Sequence, residues 1–273
     1  MQKVWQILPE INESVIKKIN NYDKIILQLL FNRDIKDKET IDSFFSGDYD
    51  FLLNDPFLFN DMAEAVELII KHIKAQNLIY IYGDYDADGV TATALLYDVF
   101  SLLNAKTKVY LPDRVSEGYG LNEKAIDLIK KDGAKLIVTV DCGIRDKARV
   151  RYAKKMDIDV IITDHHMPPE ETKDYPECLV VDALVKRDRY PYKSLSGVGV
   201  SYKLAQALVN KSTLDEDKKK KIIDSLLDLV TIGTITDIVS LLGENRVLVK
   251  KGLKVLNKTK RLGLIELIKA SKL

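Results

Sequence analysis

The segment Asp84-Tyr85-Asp86-Ala87-Asp88-Gly89 sets three carboxylates at alternate positions directly behind a short apolar run, Leu78 to Gly83. Two further segments also place an acid behind an apolar run. Asp141 ends KLIVTV, and Asp164-His165-His166 ends DVIIT. The chain has three histidines in 273 residues, and two of them stand together here. Carboxylates held close together repel each other and grip their protons more tightly, and cations relieve that cost. Oxygen ligands with one or two imidazoles suit Mn²⁺ or Mg²⁺ better than structural zinc, which prefers closed thiolate or histidine cages. A carboxylate between two such ions can bridge them at about 3.5–4 Å, the spacing used for phosphoryl chemistry. Asp141 lies between the other two clusters and is the candidate bridge. Adjacent residues at a strand end tend to point in opposite directions. One of His165 and His166 is therefore expected to ligate metal and the other to meet a substrate phosphate.

Blander readings stand beside these. Asp-x-Asp-x-Asp-Gly also suits a turn or a helix cap. It resembles the start of a calcium loop, but the twelfth position, where such loops carry Glu, is Leu95. Asp141-Cys142-Gly143 alone is ordinary turn chemistry. His72 lies on an amphipathic helical pattern and reads as structural. Cys142 has no histidine or asparagine positioned by the sequence to make it a nucleophile. Neither G-x-x-x-x-G-K-[ST] nor a G-x-G-x-x-G after the first strand is present. Gly197-Val198-Gly199 opens a helical pattern. Its backbone N–H groups suit a phosphate at a helix N-terminus, and its glycines equally suit close packing and a tight turn.

Acids so far apart in sequence need a scaffold that gathers them. LIYIYG, KVYLP, KLIVTV, DVIIT and ECLVV read as short buried strands. Between the first four, VTATALLYDVFSLL, NEKAIDLIKKDG and RDKARVRYAKKM have helical spacing. The alternation predicts an α/β fold, a mostly parallel sheet flanked by helices on both faces. Its C-terminal strand ends share one edge, and ligands bind in the crevice there. Before Leu78, INESVIKKI, YDKIILQLLF, IDSFF and MAEAVELIIKHI read as helices, and GDYDFLLNDPF as a turn-rich connector. The reading therefore sets a helical segment, 1–77, packed on a catalytic domain, 78–273. After Gly197 the chain is helical again, through VGVSYKLAQALV, DEDKKKKIIDSLLDLVTIG and NRVLVKKGLKVL. The run Lys218 to Lys221 reads as a solvated helix face.

Composition narrows the classes. Forty-two basic residues against 41 acidic give no global pull toward a polyanion, so any nucleic acid must be captured by local patches or metal ions. Two cysteines, Cys142 and Cys178, make no disulfide framework and fit a reducing cytoplasm. No signal peptide and no membrane span is predicted. The terminal Ser271-Lys272-Leu273 matches a peroxisomal address only formally.

The motifs IYGDYDADGVTATALL, VTVDCGI, IITDHH, YPYKSLSGVGVSYKL and GTITDIVSLLGENRVLV occur in the order and approximate spacing of the DHH phosphoesterase family. The chain resembles that family nearly end to end, from LLFNRDI and NDPFLFNDM to GLKVLNKTKRLGL. It resembles most closely the RecJ-type branch, single-strand-specific 5′→3′ DNA exonucleases. The resemblance implies a hydrolase of phosphodiester bonds with two Mn²⁺ or Mg²⁺ ions, serving DNA repair and recombination. It implies metal ligation by Asp84, Asp86, Asp88, Asp141, His165 and Asp237, with Asp141 bridging. Catalysis would then rest on Asp141, His165 and His166. His166 matches the family's phosphate-contacting histidine, and Arg114 a position that grips nucleic-acid phosphate, for which a bidentate guanidinium is apt. Gly197 and Gly199 are counted with these DNA contacts, and Asp164 supports the histidine pair from behind. Single-stranded DNA is the implied substrate, and a single-strand-binding protein and a helicase are the implied partners. The chain departs from the family at Asp182-Ala183, where Asn-Pro is usual, and at Thr236 and Ser240, where Ala and Pro are frequent. Family members continue into a second domain and an oligonucleotide-binding barrel. Both are expected to be absent here, which would weaken the grip on a strand. Two other readings compete: a nanoRNA or cyclic-dinucleotide phosphodiesterase, and a non-catalytic scaffold.

Overall fold

Among the described residues, five β-strands lie where the apolar runs lie: β1 (Leu78–Gly83), β2 (Lys106–Tyr110), β3 (Ala134–Val140), β4 (Asp159–Thr163) and β5 (Leu179–Val181). The computed structural model, which describes residues 4–19, 21–45 and 53–272, pairs them in parallel in the order β2-β1-β3-β4-β5. Parallel strands need long crossovers, and helices supply them. Side chains alternate between the faces of the sheet. Ile79 and Ile81 of β1, Leu136 and Val138 of β3 and Ile161 of β4 face one apolar layer. That layer holds α4 (Met62–Lys74), α5 (Ala87–Leu102), α8 (Gly197–Asn210), α10 (Leu227–Thr236) and α11 (Gly243–Leu256). Tyr80, Tyr82, Ile137, Val160 and Ile162 face the other, with α6 (Glu123–Lys131) and α7 (Lys147–Lys155). The α/β architecture read from the sequence is the one observed.

The strand order reverses between β1 and β3, since β2 lies on one side of β1 and the later strands on the other. Open α/β sheets bind ligands outside the strand C-termini at such a switch point.

The chain divides into two compact units, Met1–Phe51 and Leu52–Leu273. The first holds α1 (Glu13–Lys18), α2 (Lys24–Phe31) and α3 (Lys38–Phe45). Asn12 and Asp23 cap α1 and α2 by accepting from the backbone N–H groups of Ser14 and Ile25. Among its described residues, Ile11, Ile19, Leu27, Leu30, Ile35 and Ile41 are buried and apolar. The division falls at 51/52, whereas the expected boundary lay at 77/78. Met62, Ala65, Val66 and Ile69 of α4 are fully buried in the core beneath the sheet, so α4 belongs to the second unit. Residues 47–52 of the connector, and Leu273 of the terminal tripeptide, fall outside the described residues.

One helical pattern breaks in two. DEDKKKKIIDSLLDLVTIG forms α9 (Glu216–Ser225) and then α10, joined at the buried Leu226. The Ser225 hydroxyl donates to the Ile222 carbonyl at 2.7 Å, a local bond that competes with the helix ladder. The last helix, α12 (Leu262–Ala270), follows α11. Among the described residues no helix is long and apolar enough to cross a membrane.

Candidate active site

Strand register builds the site. Gly83 of β1 pairs with Val140 of β3, Val140 with Thr163 of β4, and Thr163 with Val181 of β5. The next residue on each strand is an aspartate: Asp84, Asp141, Asp164 and Asp182. Four carboxylates thus stand in one row along the C-terminal edge, all almost completely buried. Asp86 and Asp88 follow at the start of α5. Asp86 caps that helix, accepting from the N–H groups of Asp88 at 2.9 Å and Gly89 at 3.0 Å. Asp237 arrives from the C-terminal end of α10.

Among the described residues, three overlapping groups of potential ligand atoms result, each within 4.8 Å of one another: Asp84, Asp86 and Asp141; Asp88, His165 and Asp237; and Asp141, His165 and His166. Around His165 Nε2 lie Asp141 Oδ1 at 3.0 Å, Asp237 Oδ2 at 3.7 Å and Asp88 Oδ2 at 3.9 Å. His165 Nε2, Asp141 Oδ1, Asp237 Oδ2 and Asp84 Oδ1 are buried and have no hydrogen-bond partner. Polar atoms this close that do not bond each other converge on points between them. Buried polar groups are normally satisfied, and a cation at those points would satisfy all of these at once. All-oxygen donors on one side, with an imidazole on the other, are the donor set of Mn²⁺ or Mg²⁺.

Behind the cluster, Asp164 holds the histidines in place. Its carboxylate accepts from the N–H groups of His165 at 2.8 Å, His166 at 3.1 Å and Ile144 at 2.9 Å, and from His166 Nδ1 at 2.8 Å. With Nδ1 committed, Nε2 is the His166 nitrogen left for a substrate. Tyr119 Oη lies 2.9 Å from the same Nδ1 and donates to the Asp141 carbonyl at 3.2 Å. Asp141 has φ 61°, a left-handed conformation that Asp tolerates. Ile238, beside Asp237, has the same φ and is a β-branched residue for which it is strained.

A model of the DHH family, N-terminal domain, matches residues 78–234, more than half of the chain and the whole sheet. The chain belongs to the DHH family. It is similar to the single-stranded-DNA-specific exonuclease RecJ of Bacillus subtilis (strain 168), 44% identical over 252 residues, 90% of this chain and 30% of that protein. It is 39% identical to the exonuclease of the same name from Escherichia coli (strain K12), over 70% of this chain and 34% of that protein. Among solved structures it superposes on exonuclease RecJ bound to manganese with a TM-score of 0.69 at 33% identity, covering 80% of this chain and 53% of that one. RecJ of Thermus thermophilus in complex with Mn²⁺ gives 0.69 at 30% identity, covering 88% and 32%. The chain spans about a third of the length of the curated relatives it matches.

Electrostatics in the DHH centre follow burial. Burial pushes the Asp141 carboxyl up to about 9, with the charges of Asp164 and Asp86 adding to the shift. Asp88, Asp84 and Asp237 are raised for the same first reason. Asp164 goes the other way. Burial opposes its charge, but the His166 hydrogen bond, the His166 charge and backbone N–H groups outweigh that and hold its carboxyl below the usual range. His166 is raised in turn, chiefly by the Asp164 hydrogen bond. Cys142 is fully buried and its thiol is pushed well up by that burial, which leaves it without nucleophilic character.

The two glycines expected to bind phosphate do otherwise. The Gly197 N–H donates to Asp88 Oδ2 at 2.6 Å, that of Val198 to Asp88 Oδ1 at 2.9 Å, and that of Gly199 to Ser196 Oγ at 3.2 Å. The α8 N-terminus therefore serves the Asp88 carboxylate, and a phosphate finds neither glycine N–H open. Gly197 is needed for approach: a Cβ there would lie 2.5 Å from Asp141 Oδ1. Gly233 of α10 plays the same part for Asp88, whose Oδ1 would lie 2.6 Å from an added Cβ. Arg114 is exposed on the loop after β2, and its guanidinium lies over the ring of Tyr85, which stands between two of the acids in sequence, 5.3 Å from the centroid.

Tyr119 and Asp182 join the site although the sequence reading did not count them with it. Tyr119 sits inside PDRVSEGYG, a stretch of polar and glycine residues that reads as a loop. Asp182 carries the same signal as its three neighbours in the row, an acid directly behind an apolar run. Its Oδ1 accepts from the Leu184 N–H at 2.8 Å and its Oδ2 is buried without a partner. Burial pushes its carboxyl up to about 8.

Proposed function

We propose that this chain hydrolyses phosphodiester bonds of single-stranded DNA from the 5′ end, using two Mn²⁺ or Mg²⁺ ions. The observation that carries the reading is the set of unpartnered, buried atoms of Asp84, Asp141, His165 and Asp237 converging at the switch point of the sheet. The similarity to RecJ exonucleases, among them structures with manganese, supports the substrate and the metal. In this reading Asp84, Asp86 and Asp141 would hold one ion and Asp88, His165 and Asp237 the other, with Asp141 the candidate shared between them. When bound, the ions supply an activated water and neutralise charge on the leaving oxygen. Asp164 keeps both histidines oriented, His166 offers Nε2 to a non-bridging phosphate oxygen, and Arg114 grips the backbone from the rim. A helicase that frees a single strand and a protein that holds it are the proposed partners, in the cytoplasm, where such DNA is repaired.

The test is hydrolysis of a 5′-phosphorylated single strand with Mn²⁺, run beside a linear dinucleotide and a cyclic dinucleotide. Release of mononucleotides from the 5′ end, lost on adding EDTA and in Asp141→Ala, is expected. Preference for either dinucleotide would replace the substrate. Manganese-dependent activity surviving in Asp141→Ala would overturn the mechanism.

A further inference from the structure

A cavity of about 460 Å³ lies beside β5, between the start of α7 and the segment 172–178. Its volume is within the range of about 300–1,000 Å³ typical of small-molecule sites. None of the proposed metal ligands lines it. The wall is apolar and aromatic, formed by Tyr175 with the buried Val180 and Val185. Three cationic side chains, Lys147, Lys173 and Arg187, surround it against one carboxylate among the lining residues, Glu177, which is ion-paired to Arg151 and lies 4.0 Å from the Lys147 ammonium. Arg187 is fixed by Asp61, whose carboxylate also accepts the Val180 N–H at 2.9 Å, so that cation belongs to the wall. The Lys147 ammonium donates to the Lys173 carbonyl and the Lys173 ammonium pairs with Glu171 at 2.6 Å, and each ammonium, with three N–H groups, keeps donors beyond these. Within the same wall the Tyr175 hydroxyl is buried and has no hydrogen-bond partner. A buried hydroxyl is normally satisfied, so the wall is one bond short of complete.

A flat body with hydrogen-bonding atoms on its edge and an anionic head answers all three features. We propose that this cavity binds a nucleoside 5′-monophosphate, its base against Tyr175 and its phosphate between Lys147 and Lys173. The choice of a nucleotide among such anions rests on the proposed reaction, of which it is the product. The site itself is separate from the metal centre, so it would sense product without blocking the water that attacks.

Binding of dTMP to EDTA-treated protein, followed by calorimetry, tests this. Saturable binding is expected. It should weaken at least tenfold in Lys147→Ala/Lys173→Ala, and weaken in Tyr175→Phe with no loss of melting temperature. It should be unchanged in Asp141→Asn, whose defect lies at the metal centre. Absence of saturable binding would overturn the proposal, as would binding that is lost in Asp141→Asn yet kept in the double lysine variant. Inorganic phosphate binding as tightly as dTMP would remove the base from the site and overturn the nucleotide assignment. Nuclease activity is measured separately with Mn²⁺. Activity without dTMP binding sinks this site alone, and dTMP binding without activity sinks the reaction alone.

Discussion

Asp141 is buried at the expense of stability. Its carboxyl is pushed up to about 9, so near neutral pH ionising it beside Asp164 and Asp86 is unfavourable in the metal-free protein. Asp141→Asn is expected to raise the melting temperature of the EDTA-treated protein while abolishing the stabilisation that Mn²⁺ gives the parent. Turnover should fall by more than the ~100-fold typical of losing a residue behind a ligand. Thermal melts with and without Mn²⁺, together with nuclease rates, check both. Asp182 separates the two effects, because it lies in the same row but outside the ligand groups. Its folded-state value of about 8 lies above that of an unfolded aspartate. Such an acid costs nothing at low pH, where both states are protonated. It costs up to roughly 1.4 kcal/mol more for each pH unit between the two values. Asp182→Asn should therefore stabilise the protein more at pH 8 than at pH 5 and leave nuclease activity near the parent's. The protonated acid already presents one donor and one acceptor, as an amide does. Equal gains at both pH values would contradict the shift.

At the scale of elements, the helices are placed as much by what they leave room for as by what they bury. The α8 N-terminus gives two N–H groups to Asp88, and its first residue must be glycine because Asp141 lies where a side chain would go. Gly197→Ala is expected to fold and to lose most Mn²⁺-dependent activity, since a Cβ 2.5 Å from Asp141 Oδ1 displaces that carboxylate. Nuclease assays across a manganese titration would show it as a raised metal requirement. The parallel sheet, both helical layers and the acids at strand ends were legible from apolar period and turn residues alone. The roles of Gly197 and Gly199 were not. Glycine at a helix start looks the same whether it faces a phosphate or a neighbouring carboxylate, and only the packed partner decides. The split between α9 and α10 was hidden for a similar reason, because Ser225 bonds backward only once the local turn exists. The register row was hidden too. Alternation marks which face a residue takes, while pairing sets which residue stands beside it.

The molecule as a whole carries two compact units, and its metal centre draws on one of them. Every proposed ligand lies in Leu52–Leu273, which includes α4 and the complete sheet. Residues 52–273 alone are therefore expected to melt cooperatively and to keep Mn²⁺-induced stabilisation. A melt without a cooperative transition would show that the first unit is needed for the second to fold. The row Asp84, Asp141, Asp164 and Asp182 also has a kinetic consequence. These acids become neighbours only after β1, β3, β4 and β5 have paired, however far apart they lie along the chain. Until the strands join, a divalent cation has no cage to recognise. Manganese should accordingly slow unfolding and leave the refolding rate almost unchanged. The ion would act as a latch on a door already shut, and stopped-flow measurements at two metal concentrations would reveal on which limb it acts.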